Sequence, residues 1–221
     1  MAILKYMGFL GSTKVQETFR MAEPEDETEY SYEELDTYAQ AKAIDNFRSD
    51  EDLIPHDWYK EMVKEFEDEL AEIGIEDVDF QFSGFYSQGD GASFTGSITD
   101  NKKFIEDVLG IRDLRPEVYD NLTIEIKRSQ SRYVHENTVD VEVDLEETEL
   151  EFPVSADFSI IIDMEKEAGK IEEKGNDWLR SKCREFYRKL EDEYESFTSD
   201  DYIENFITAN DYKFDKEGNL I

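Results

Sequence analysis

The apolar residues of this chain keep two different periods, and the positions where the period changes dictate the architecture it can adopt. Leu35, Tyr38, Ala39, Ala43, Ile44 and Phe47 recur at helical spacing, and Ser31 with Glu34 reads as a capping box opening that helix. Behind Pro55 a second helix carries a stripe of Trp58, Met62, Phe66, Leu70 and Ile73, with Gly74 placed to end it. The period then shortens to two. "VDFQFSGFY" and "ASFTGSI" flank Ser87–Gly91, which predicts a β-hairpin with a glycine-rich turn. A short helix ending at Gly110 precedes a second hairpin, "NLTIEIKRSQSRYV" with "NTVDVEVDLEE". From Ser155 the helical period returns, as two helices or as one long helix weakened at Gly169 and Gly175. Ser199 caps a last helix, and the terminal segment turns at Gly218. The order αα–ββ–α–ββ–αα predicts an α+β fold, with antiparallel hairpins packed against several amphipathic helices. We expect residues 30–221 to form a single domain behind a partly flexible N-terminal extension, 1–29.

Charge narrows the functional classes. Among 221 residues, 57 Asp and Glu face only 24 Lys and Arg, a formal charge of −33. Yet 15 Phe and 12 Tyr are more aromatics than a disordered acidic tail carries, so a folded protein with an acidic exterior is expected. Such a surface repels nucleic-acid phosphates and anionic membranes and favours basic partners, among which nucleic-acid-binding proteins are the commonest. Halophilic adaptation would select a similar skin. The single cysteine, Cys183, excludes an internal disulfide and fits a reducing cytoplasm. "MAILKYMGFLGS" is too short to span a bilayer and makes a poor signal peptide.

Chemistry-bearing motifs are sparse. There is no phosphate-binding GxxxxGK[ST], no HExxH and no metal-spaced Cys/His set. His56, at a helix entrance, and His135, in a hairpin turn, have no nucleophile motif beside them. Cys183 lies on an apolar helix face with Leu179, Phe186, Leu190 and Tyr194, so we expect it in the core. We therefore expect no catalytic residues, metal or cofactor. In the second hairpin Asp140, Glu142, Asp144 and Glu146 alternate with Val139, Val141, Val143 and Leu145, placing four carboxylates on one strand face. They would suit phosphate mimicry or a hard cation. With 57 acids in 221 residues, however, about one such alternation arises by chance, and a solvated face is the default. Glu65, Glu69, Glu191 and Glu195, on the two acidic helices, complete the candidate partner-binding set.

The stretch "FSGFYSQGDGASFTG" stands apart, with four of the chain's 11 glycines and only one charge, Asp90. Gly89 and Gly91 suit a tight turn at positive φ, so Ser87, Gln88, Gly89, Asp90 and Gly91 form a candidate ligand turn, with a plain structural hairpin as the default. This box, the preceding "YSYEELDTYAQAKAIDNFR" and the C-terminal "FYRKLEDEYESFTSDDYIENFITANDYKFDKEGNLI" resemble a widespread group of bacteriophage and prophage proteins. Some members carry a loose antitoxin label. The resemblance implies origin in a mobile element and action in the cytoplasm of a bacterial host, and it supplies no reaction and no catalytic residues. The expectation is an acidic, phage-encoded interaction protein, not an enzyme. It would inhibit a basic host nucleic-acid-binding protein, such as a defence nuclease or its regulator, by presenting a DNA- or RNA-like surface. It would bind no nucleic acid or membrane itself. An antitoxin-like neutraliser of a cognate toxin is the alternative, and a small-ligand or metal binder using Gly89–Gly91 is the third reading.

Overall fold

A computed structural model describes residues 28–50, 53–112, 114, 118–119, 121–129, 132–145 and 158–221, with 158–163 by backbone only. The fold is α+β. Four strands, β1 (Ile75–Phe82), β2 (Ala92–Ile98), β3 (Leu122–Arg128) and β4 (Val139–Leu145), form one antiparallel sheet in sequence order. Around it lie the helices α1 (Thr37–Arg48), α2 (Lys60–Glu72), α3 (Asn101–Lys103), α4 (Phe158–Phe197) and α5 (Asp200–Ala209). A π-helical turn, Phe104–Val108, continues α3 and buries Phe104 and Ile105. Residues 1–27, most of the expected extension, and 155–157, the expected start of α4, lie outside the described residues.

The capping box at Ser31 forms, but it opens less than expected. The Ser31 N–H donates to the Glu34 carboxylate at 2.8 Å and closes only a 3₁₀ turn, Tyr32–Glu34. Leu35 then takes an extended backbone that carries its side chain into the core. Asp36 restarts the helix as the N-cap of α1, accepting from the Tyr38 and Ala39 N–H groups at 3.0 and 2.9 Å. That restart turns Tyr38 outward, 81% exposed, although its spacing had placed it on the apolar face.

The sheet is two hairpins joined by a narrow seam. β3 and β4 pair at seven positions, whereas β2 and β3 pair only at Gly96↔Ile126 and Ser97↔Glu125. In the first hairpin the register shifts between Glu76 and Asp79, opposite Gly96, with Asp77 at φ 54°. One face of the sheet carries the core. Phe66 of α2 packs edge-on against Phe80 and Phe94, and Phe186 of α4 lies 4.0 Å from the Phe80 ring.

α4 runs unbroken for 40 residues, about 60 Å at the helical rise. The glycine at 175 does not break it because the sheet needs that position small. A Cβ on Gly175 would sit 3.0 Å from Val141 Cγ1, so its absence lets the helix lie close on β4. One residue on, Asn176 Oδ1 accepts the Val141 N–H at 2.8 Å and satisfies a backbone donor of the edge strand.

A second apolar cluster gathers Tyr32, Leu35, Ala39, Ala43, Phe47 and Leu53 with Ile203, Ile207 and Phe214. It brings α1 against α5 and the C-terminal turn, where Tyr30 and Phe214 exchange backbone hydrogen bonds at 2.9 Å. Arg48 ties α1 to the α4–α5 junction, donating to the Thr198 carbonyl at 3.0 Å and pairing with Asp200. Ser199 caps α5 as its sequence predicts, accepting from the Tyr202 N–H.

Candidate functional site

The glycine-rich box folds differently from the expected strand-turn-strand. β1 stops at Phe82, and the connection to β2 runs over Ser83–Gly91 instead of only Ser87–Gly91. The cause is Phe85. Its ring packs against Tyr194, Tyr187 and Trp58 at 4.9, 5.5 and 6.3 Å, which draws the chain out of the sheet and onto α4. The Tyr187 hydroxyl fixes that excursion by donating to the Gly84 carbonyl at 3.2 Å.

Within the loop, each expected ligand-turn residue has a local structural partner or task, save Gln88, which is exposed. The Asp90 carboxylate accepts the Ser87 N–H at 2.8 Å, while the Asp90 N–H donates to the Ser87 carbonyl at 3.2 Å. Gly89 takes φ 94°, as the tight turn requires. Gly91 does not adopt positive φ; its need is space. A Cβ there would lie 2.5 Å from the Cβ of His135, because the first hairpin's loop abuts the second's. Ser83 closes the base: it donates its N–H to the Gly91 carbonyl at 3.0 Å and accepts the Gly91 N–H on Oγ at 2.9 Å.

Tyr86 is the residue that sequence patterning missed. It has φ 71°, a left-handed conformation rare for an aromatic residue, and it is 69% exposed. Its hydroxyl donates to Glu195 Oε1 at 3.0 Å. Desolvation at the phenol, the Glu195 bond and the nearby Glu191 charge push its pKa up to about 12, so it stays a proton donor. Behind it a strip of half-buried rings runs along the molecule. Trp58 neighbours Tyr194 and Phe197 at 6.2 and 6.1 Å, Phe197 meets Tyr202 at 5.2 Å, and Tyr202 stacks on Phe206. At the second loop tip Tyr133 is 45% exposed, with the Arg132 guanidinium 5.3 Å above its ring. The available signal was an aromatic residue set among glycines and hydroxyls.

The predicted acids divide between two faces. α2 and α4 lie side by side, bringing Glu69 within 3.3 Å of Lys189, while Glu65 stays exposed and Glu195 joins Tyr86. Glu191, one turn before Glu195, is half-buried. The strand acids alternate with Val141, which packs on Gly175 of α4. Asp140, on the edge strand, is reached by Arg180 of α4 at 3.4 Å, whereas Glu142 lies 3.0 Å from Lys127 of β3 and Asp144 is exposed. Glu146 lies outside the described residues. Lys127 also meets Glu125 at 2.7 Å, and hydrogen bonds to the two carboxylates raise its pKa above the ordinary lysine value. A shallow depression of about 340 Å³ beside it is lined by residues including Asp77, Thr95, Ser97, Glu125 and Lys127.

The remaining reactive side chains have structural settings. Cys183 is fully buried, and that burial pushes its thiol up to about 12. His135 Nδ1 accepts the Asn137 N–H at 3.1 Å within its own turn, and His56 is exposed. Among the described residues no group of three or more His, Cys, Asp or Glu is placed to hold a metal ion. No helix among them is long and apolar enough to cross a membrane.

No curated protein and no solved structure matches the chain. A family model does match over residues 58–200, a span that takes in the sheet, α2, α4 and the whole glycine-rich box. Because that match covers more than half of its length, the chain belongs to the family described as Domain of unknown function (DUF8835).

Proposed function

We propose that this is an acidic interaction protein of phage or prophage origin. It occupies the nucleic-acid-binding surface of a basic host protein, such as a defence nuclease or its regulator, and thereby inhibits it. The observation that carries the reading is the imbalance of outward charge. The chain bears −33, and Arg48, Lys127, Arg180, Lys182 and Lys189 each already lie within 4.0 Å of a carboxylate of the same chain. The excess is carboxylate carried on a folded scaffold, which steers a basic surface in and repels nucleic acid and anionic lipid. On this reading the protein works by binding and carries out no reaction of its own.

The test is capture of partners from a bacterial lysate at low and high salt, with and without added duplex DNA. The expected partner is a basic nucleic-acid-binding protein, released by salt and displaced by DNA. Retention that ignores both salt and DNA would overturn the proposal.

A further inference from the structure

We propose that the exposed ring of Tyr86, held against Glu195, is a docking point for an arginine side chain of the basic partner. This rests on the reading of the protein as a binder of basic surfaces, and it names the contact. Three observations carry it. First, the chain holds a bulky aromatic residue at φ 71° and leaves 69% of it exposed, so the loop spends a costly backbone conformation on presenting this ring at the surface instead of burying it. Second, the bond from the Tyr86 hydroxyl to Glu195 Oε1 anchors the ring by its edge and uses one of the two carboxylate oxygens. A guanidinium laid on the ring would find the Glu195 carboxylate at the rim, with Glu191 one turn back. Third, the neighbouring loop shows the same pairing inside the molecule. Arg132 lies over the ring of Tyr133, and Tyr133 sits beside Gly89 of the Tyr86 loop.

Charge selects the occupant. A phosphate or a second copy of this chain would bring negative charge to a carboxylate rim, whereas an arginine-rich surface brings the complement. Arginine is favoured over lysine because its planar, weakly hydrated guanidinium stacks on a ring and pairs with a carboxylate at once.

The experiment uses the full chain with fluorescent nona-arginine and nona-lysine peptides, read by anisotropy at one ionic strength. Wild type should bind nona-arginine about fivefold more tightly than nona-lysine, as expected for an exposed cation–π contact. Tyr86→Ala and Tyr86→Gly should abolish that preference, and Tyr86→Phe, which keeps the ring, should retain it. Tyr86→Gly suits the left-handed backbone, so its fold should survive, as a wild-type circular dichroism spectrum would report. Equal binding of the two peptides, or a preference that survives in both the Ala and Gly variants, would overturn the docking point. Salt-sensitive binding of both peptides would leave the broader reading standing. If neither peptide binds at low salt, both proposals fall.

Discussion

Asp90 carries the only charge in the Phe82–Gly96 box, and its carboxylate receives the Ser87 N–H. Asp90→Asn keeps an acceptor there and should leave the melting temperature nearly unchanged. Asp90→Ala should cost about 1 kcal/mol in urea denaturation, the scale of one such local hydrogen bond. Gly91→Ala drives a methyl into the backbone and Cβ of His135 and should cost about 1–3 kcal/mol. Cys183 predicts an alkaline limit. Its thiol stays protonated in the fold, where burial raises it to about 12, but ionises near 8.5 in the unfolded chain. Above about pH 8.5 the native state therefore binds more protons than the unfolded state, and stability falls as pH rises toward 12. Denaturation at pH 8 and pH 9.5 should show that loss in wild type and less of it in Cys183→Ala. Much at this scale was legible in sequence: the burial of Cys183, the cap at Ser199 and the positive φ of Gly89 follow from residue type and neighbours. The left-handed Tyr86 was not, because the contacts that surround it, Tyr187 on Phe85 and Gly84 and Glu195 on its own hydroxyl, come from α4, about a hundred residues away.

Among the elements, α4 separates intrinsic propensity from packing. Gly169 has nothing within 4 Å of a built Cβ, so Gly169→Ala should stabilise the protein by about 0.5–1 kcal/mol. Gly175→Leu raises propensity too, yet it forces a side chain into Val141 and should destabilise by about 1–3 kcal/mol. Thermal melts of the two variants should move in opposite directions. Sequence spacing located nearly all the helices and strands, because amphipathic stripes such as Phe66 with Leu70 and Val139 with Val141 record which face is buried. It failed at boundaries. Ser31 and Asp36 both offer a helix start, and only the burial of Leu35 decides between them. The extent of β1 was hidden for a similar reason: Phe85 suits a strand by propensity but packs on α4.

For the molecule as a whole, a charge of −33 opposes compactness, so added sodium chloride should raise the melting temperature before any partner is present. A melting temperature indifferent to salt would mean that the carboxylates are locally compensated. The two-face division of the acids was not readable from composition, since strand alternation and helix spacing fix local faces but not how sheet and helix layers stack. One feature of that stacking sets the order in which the structure comes apart. β2 and β3 share only two paired positions, whereas α4 touches both hairpins, through Trp178 on Phe94 and Gly175 on Val141. The helix thus acts as a splint across a weak joint. Amide protons along that joint should exchange with deuterium ahead of those inside either hairpin, and any event that lifts α4 would let the two halves of the sheet open like a book.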